Sequence, residues 1–244
     1  KKKWPNKTVV PIVHGDTLVA GVAPIGWMFS RNEKVAQNEA GLRSMTPHCI
    51  TKIKKKPSQL GAFINSQFNG DWMLVRSEPF PEQWDTFVCG AGSEFQFAPT
   101  ELNKEHLLRE GNPADRIFVV GNSIVDAVHY KKLEKKEKSV FDVYPELEAF
   151  DNWLRVDIHR RGNLAPTRFK AIVGGILDLV EQGIPIVWIE MNATKRALEY
   201  YRLRSKVLKI AEERKNFLFT GLWPVWGHVI EFFESGKCFG VLTD

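Results

Sequence analysis

The chain contains little cysteine, and its cysteines are far apart. Its 244 residues include Cys49, Cys89 and Cys238, which form neither a disulfide framework nor a CxxC metal motif. This usage is typical of a reducing compartment, so we expect a cytoplasmic location. No apolar run approaches the ~20 residues that a helix needs to cross a bilayer, and we expect no membrane partner.

The usual nucleotide-binding fingerprints are also missing. There is no GxGxxG turn and no GxxxxGK[ST] loop, so neither a nicotinamide dinucleotide nor a P-loop nucleotide is indicated. The net charge of +5 is modest, and lysines gather at 1–3, 52–56 and 131–138. Solvated helix faces explain these clusters better than an anion-binding patch, and no glycine-aromatic pattern accompanies them. We therefore expect no nucleic-acid partner.

What the chain does have is an alternation of apolar strands and amphipathic helices. Phe95–Ala98 predicts a strand, Asn103 predicts a helix cap, and Ile117–Val120 predicts a strand buried on both faces. The next helix is predicted to bury an apolar stripe formed by Ile124, Val125 and Val128. Such strand–turn–helix units build α/β domains with parallel sheets.

The same alternation continues in the second half. Residues 153–158 and Phe217–Thr220 predict strands, and a long helix opened by Pro166 carries an apolar stripe with helical spacing. Apolar periodicity lapses in the polar run 131–138, which predicts a domain boundary: residues 1–138 form one domain and 139–244 the other. Residues 44–80 predict loops around one short helix.

Three chemically useful side chains follow predicted strands directly. Asp16, Glu39 and His159 should lie at the carboxyl ends of parallel strands, where α/β sheets bind their ligands. Partial burial there raises a carboxyl pKa towards the range useful for proton transfer. A helix cap or a salt bridge is the alternative for each acid. Arg160 and Arg161 suit phosphate oxygens, or they form a surface turn with no ligand.

Six collinear segments resemble the UDP-N-acetylglucosamine 2-epimerase family. They are VHGDT at 13–17, EAGLRS at 39–44, FAPTE at 97–101, LLREG at 107–111, IFVVGNSIVDA at 117–127 and IHRRGN at 158–163. The resemblance implies two Rossmann-like domains facing a cleft, as in glycosyltransferase-B folds. It also implies that both domains are incomplete, because the family has a first βα unit upstream of Lys1 and a Ser-Gly-Gly run after the position of Asp244. We therefore expect weak or no turnover from the 244-residue chain alone.

The family's chemistry is the interconversion of UDP-GlcNAc and UDP-ManNAc. The resemblance implies elimination and re-addition of UDP with inversion at C2. We expect no cofactor, and no metal, because the HGDT group at 14–17 lacks companion ligands at fixed spacing. The implied catalytic residues are Asp16, Glu39, Glu82 and His159. The implied substrate-binding residues are Arg43, Arg160, Arg161, Asn163 and Asp244. The expected partners are a UDP-sugar and, in a homodimer, a second copy of the chain.

The chain departs from the family pattern at several positions. Gln83 replaces a glutamate, and Asp85 and Thr86 stand where Asn-Arg is usual. Gly162 replaces another glutamate, and Glu190 replaces the histidine of a His-x-Asn motif. Two alternatives therefore remain open: a glycosyltransferase of the same architecture, and a protein that binds a UDP-sugar without turning it over.

Overall fold

A computed structural model describes residues 9–47, 61, 65, 71–75, 81–134 and 138–244. The chain divides into two compact units, Lys1–Ser123 and Ile124–Asp244. The boundary was predicted after residue 138, beyond the helix Ser123–Leu133, whereas this division falls at the start of that helix. Among the described residues, no helix is both long and apolar enough to cross a membrane.

The first unit is built around a parallel sheet. In chain order its elements are β1 (Ile12–His14), α1 (Leu18–Arg31), β2 (Ala36–Asn38), β3 (Met45–Pro47), β4 (Trp72–Leu74), α2 (Glu82–Gly92), β5 (Phe95–Ala98), α3 (Glu101–Arg109) and β6 (Ile117–Val119). The parallel strands lie in the order β1-β2-β5-β6. β3 and β4 form a separate antiparallel pair, which was not predicted. Most of the 44–80 segment, including its predicted short helix, lies outside the described residues.

Small residues allow α1 and α2 to pack closely. A Cβ added at Gly21 would lie 2.6 Å from Asp85 Oδ1, and one added at Gly92 would lie 3.1 Å from Pro24 Cβ. A larger residue at either position would have to push the helices apart. This contact fixes α2, which carries Glu82 and Asp85, against the helix that follows β1.

Two predictions about burial are wrong, one for the last strand of this unit and one for the helix that follows it. Ile117 of β6 is buried, but Phe118 and Val119 are exposed, because β6 is the edge strand of the described sheet. The helix after it, α4 (Ser123–Leu133), contains no buried residue, and its Ile124 and Val125 are exposed. An apolar run predicts a strand equally well at the centre of a sheet and at its edge.

The predicted cap of α3 is displaced by three residues. Thr100 is the N-cap, and its hydroxyl accepts a hydrogen bond from the Asn103 backbone N–H, while the Asn103 side chain accepts one from the Thr100 backbone N–H. Asn103 therefore helps to close a capping box but does not begin the helix. The end of the helix matches the prediction, since Gly111 follows it with a φ of +88°.

The second unit repeats the parallel architecture. After α4 come α5 (Val140–Val143), β7 (Trp153–Asp157), α6 (Pro166–Glu181), β8 (Ile186–Ile189), α7 (Asn192–Tyr200), α8 (Arg204–Glu213), β9 (Phe217–Thr220), α9 (Trp226–Glu234) and β10 (Cys238–Thr243). The parallel strands lie in the order β10-β7-β8-β9.

The core of the second unit follows the predicted stripe. α6 begins at Pro166 and buries one face, formed by Phe169, Val173, Ile176, Leu177 and Val180. This face belongs to the same apolar cluster as Trp188 of β8, whose four residues are all buried. The α/β fold class with parallel sheets is confirmed in both units.

Candidate active site

Two predicted acids lie at the carboxyl ends of β1 and β2. The strands pair in parallel with His14 opposite Asn38, so the residues after them are neighbours. A Cβ on Gly15 would lie 3.1 Å from Glu39 Oε2, and His14 Nδ1 lies 3.7 Å from the same oxygen. Glu39 itself has a φ of +59°, a left-handed conformation that is costly for a residue with a side chain. Such strain is concentrated at functional sites.

Asp16 and Glu82 line one small pocket. Its volume is about 170 Å³, and Arg43 is among the other residues that line it. Glu82 is the first residue of α2, where the partial positive charge of the helix N-terminus favours a carboxylate. The structure thus brings together three of the predicted site residues of this unit. The fourth, Glu39, lies beside His14 and is not part of the lining.

The positive charge of Arg43 is already paired. Its Nε and Nη2 donate to the two carboxylate oxygens of Glu110 at 2.7 and 2.6 Å, and its guanidinium lies 4.2 Å from the centre of the Phe87 ring. The Arg43 side chain is 1% exposed. Its binding to substrate stays a prediction, because in this structure the guanidinium holds α3 to the loop after β2.

Asp85 was not among the predicted site residues, yet it is a neighbour of this pocket. It is completely buried, and neither carboxyl oxygen has a hydrogen-bond partner among the described residues. Burial raises the pKa of Asp85, and the negative charges of Asp16 and Glu82 raise it further. Its spacing of three from Glu82 on one helix was the available signal, because residues at i and i+3 share a face.

In the second unit, Asp244 closes the turn that follows β7. β7 and β10 pair in parallel with Asp157 opposite Thr243, so the residues after these strands meet at one edge. The Asp244 carboxylate accepts hydrogen bonds from the backbone N–H groups of His159 and Arg160 at 3.0 and 2.9 Å, and from Asn163 Nδ2 at 3.1 Å. Asp244 therefore fixes this turn, and its predicted contact with substrate stays a prediction.

These donors decide the charge of Asp244. Burial alone would raise its pKa, but the hydrogen bonds from His159, Asn163 and Arg160 outweigh burial and hold the pKa below its ordinary value. The imidazole is oriented by the same carboxylate, since His159 Nδ1 lies 3.2 Å from Asp244 Oδ1. Nε2 has no hydrogen-bond partner among the described residues, and the side chain is 41% exposed. The ring is thus held on one side and open on the other.

Two further polar groups surround this turn. Asp157, the last residue of β7, places Oδ1 3.9 Å from His159 Nδ1 and also binds Arg155. Asp157 was not predicted as a site residue, because it lies inside the predicted strand and not after it. Arg161 is exposed and Arg160 is partly buried. Their predicted contacts with phosphate stay predictions.

Glu190, one of the departures noted above, is firmly paired. It follows β8 and accepts hydrogen bonds from Arg204 Nε and Nη2 at 2.7 and 3.0 Å. An anion held by an arginine therefore occupies the position where a histidine was expected. No group of three His, Cys, Asp or Glu side chains in the described part of the chain could hold a metal ion.

Comparison with known proteins agrees with the motif resemblance. The family model described as UDP-N-acetylglucosamine 2-epimerase matches residues 75–220. The UDP-N-acetylglucosamine 2-epimerase of Methanocaldococcus jannaschii is 34% identical over 130 residues, which cover 52% of this chain and 36% of that protein. The Bacillus subtilis enzyme of the same name is 29% identical over 169 residues, or 68% of this chain and 36% of the relative.

A solved structure is similar over the whole chain. It is the UDP-GlcNAc 2-epimerase of M. jannaschii in complex with UDP-GlcNAc and UDP, with a TM-score of 0.69 and 27% identity, covering 100% of this chain and 57% of that one. The chain therefore spans between about a third and three fifths of the length of these relatives.

Proposed function

The chain belongs to the UDP-N-acetylglucosamine 2-epimerase family, and from this premise we propose that it interconverts UDP-GlcNAc and UDP-ManNAc. The observation that carries the proposal is its likeness, over its whole length, to an epimerase whose structure contains UDP-GlcNAc and UDP. The pocket lined by Asp16 and Glu82 supports it from the chain's own geometry.

The first unit supplies the carboxylates. Asp16, Glu39 and Glu82 are the candidates to remove the C2 proton. The electron pair of the C2–H bond then forms the C1–C2 double bond as the C1–O bond breaks and UDP leaves. Re-addition of UDP at C1, with return of a proton to the opposite face of C2, gives the epimer. A carboxylate can act as the general base when it lies within reach of the C2 proton, and Asp16 and Glu82 line one pocket where a sugar could be held.

The second unit carries groups whose chemistry suits a pyrophosphate. His159 is held by Asp244 through Nδ1, so its exposed edge can stabilise charge that develops as UDP departs. Arg160 and Arg161 add positive charge in the same turn, and arginine matches phosphate oxygens in geometry.

The reaction is tested by NMR in deuterated water. UDP-GlcNAc is incubated with the chain, and with a chimera that adds the segments of the M. jannaschii relative lying outside the match. We expect UDP-ManNAc carrying deuterium at C2 from the chimera, and little or none from the chain alone. Product without deuterium at C2 would contradict the proposed proton removal.

His159→Ala tests the second unit. Turnover by the chimera should fall about a hundredfold, because a group that stabilises developing charge is removed. His129→Ala is the matched control, since His129 is an exposed histidine of α4, and it should leave turnover unchanged. Equal rates for the two variants would remove His159 from the mechanism.

A second candidate is binding of a UDP-sugar without turnover. Two observations favour it: Thr86 donates its hydroxyl to the Glu82 backbone carbonyl where the family has an arginine, and Glu190 is paired with Arg204. Tight binding of UDP by calorimetry, with no deuterium exchange even in the chimera, would select this candidate. A cytoplasmic location and a homodimer remain predictions.

A further inference from the structure

Asp85 is a buried carboxyl group for which the described residues provide no hydrogen-bond donor. Its exposure is 0%, and both oxygens lack a hydrogen-bond partner among the described residues. Oδ1 packs against the backbone of Gly21, so closely that a Cβ there would lie 2.6 Å away. The α-carbon of a glycine offers no N–H or O–H group. An ionised carboxylate in such a position would lose its hydration without compensation from a donor in the described part of the chain.

The charges that act on Asp85 make ionisation less favourable still. Asp16 and Glu82 face it as anions. The side chains of α1, the helix packed against α2, include a single charged group, Arg31, in its last turn, far from Gly21. Arg43 lines the neighbouring pocket, but its guanidinium is bound to Glu110. Cys89, one turn further along α2, has a buried thiol that carries no charge to offset the anions.

We propose that Asp85 carries a proton at neutral pH and serves as a neutral positioning residue behind the Asp16–Glu82 pocket. Because Asp85 is then a neutral carboxylic acid, the three neighbouring carboxyl groups of Asp16, Glu82 and Asp85 carry two negative charges in total and not three. The effect on turnover rests on the proposed function, whereas the protonation of Asp85 does not.

The catalytic consequence is a dependence of turnover on the proton of Asp85. When Asp85 ionises as the pH rises, a third negative charge repels the carboxylates of Asp16 and Glu82 and disturbs the position of the base that removes the C2 proton. Turnover should therefore fall on the alkaline side in the natural sequence. Asp85→Asn should remove this fall, because an amide cannot ionise.

The proton is tested first by infrared spectroscopy of the 244-residue chain with ¹³C-labelled aspartate at pH 7. The difference between the natural sequence and Asp85→Asn should contain the C=O band of a protonated carboxylic acid. A carboxylate band in its place would overturn the proposal. This measurement needs no substrate, so it decides the state of Asp85 even if the proposed epimerase activity is absent.

Thermal unfolding gives an independent test with a defined sign. A carboxyl group with a raised pKa in the folded state stabilises the protein below its unfolded pKa and loses that contribution as the pH rises through the folded value. Asp85→Asn should therefore match the natural sequence near pH 4 and exceed its Tm by about 3 °C or more at pH 8. Asp126→Asn, which changes an exposed carboxyl of α4, should show no such trend. If the Tm of Asp85→Asn relative to that of the natural sequence were lower at pH 8 than at pH 4, the proposal would be contradicted.

Discussion

Two buried carboxyl groups, one in each unit, have opposite electrostatic environments. Asp85 has no donor among the described residues and faces two anions, which together with burial raise its pKa. Asp244 is also buried, but it accepts two backbone and one side-chain hydrogen bond, and its pKa is lowered. Burial therefore does not decide the charge of a carboxyl group; the number of donors directed at it does.

The two units also differ in how they use apolar sequence. In the second unit, all four residues of β8 are buried, and Trp153 and Trp188 are completely inaccessible. In the first unit, β6 has an equally apolar sequence but exposes Phe118 and Val119. The difference lies in position within the sheet, since β8 has a partner strand on each side and β6 lies at an edge.

The largest expected effect tests whether the Arg43 guanidinium stabilises Glu110 or the carboxylates of the pocket, Asp16 and Glu82. Arg43→Met should lower the free energy of unfolding by about 3 kcal/mol, because it leaves the Glu110 carboxylate without its bidentate partner. Urea unfolding at pH 7 measures this loss. Arg109→Met is the matched control, since Arg109 pairs with Glu105 on the exposed face of α3 and should cost less than about 0.5 kcal/mol.

The pH dependence of this variant decides between the two roles. If Arg43 serves only Glu110, the loss should be nearly constant from pH 6 to pH 8. A loss that grows steadily over that range in the natural Asp85 background, and not in Asp85→Asn, would show that its charge also acts on the acid pocket. In that case Asp85 would be influenced by a nearby cation, and its contrast with Asp244 would not depend on hydrogen-bond donors alone.

The next effect concerns Asp244, for which the dependence of stability on pH should have the opposite sign to that expected for Asp85. Asp244→Asn should lower the free energy of unfolding by about 2 kcal/mol at pH 7, because an amide cannot accept all the charge-assisted hydrogen bonds at this turn. A group with a lowered folded pKa contributes stability above its unfolded pKa and loses it as the pH falls through the folded value. The deficit should thus be constant above about pH 5 and shrink below about pH 4. A deficit that persists at pH 3 would mean that packing, and not charge, holds the turn.

Local pattern predicted most of the second unit but missed features that depend on distant residues. The stripe of α6 and the strand Phe217–Thr220 follow from periodicity and composition, which act within one element. The β3–β4 pairing joins segments more than twenty residues apart, and the Arg43–Glu110 pair joins residues 67 apart. No spacing rule in the sequence connects such partners.

The candidate site was predictable to a similar degree. Asp16, Glu39 and His159 could be named because each directly follows an apolar strand, and the structure places them at strand ends. Asp85 and Asp157 were not named, because their significance depends mainly on what faces them: Gly21 in one case, and His159 in the other. Residue type and position predict where chemistry is available, whereas charge state depends on neighbours that only the fold supplies.

The smallest expected effect concerns the strained acid of the first unit. Glu39 has a φ of +59°, so Glu39→Gly should relieve backbone strain and raise the free energy of unfolding by about 0.5 kcal/mol after the extra entropy of glycine is subtracted. Glu39→Ala keeps the strain and should give no gain. The glycine variant should nevertheless lose turnover in the chimera, because the carboxylate is gone. A gain in stability together with a loss of activity would show that the strain at the end of β2 is maintained for function, whereas lower stability of the glycine variant would show that the Glu39 side chain holds the strand end in place.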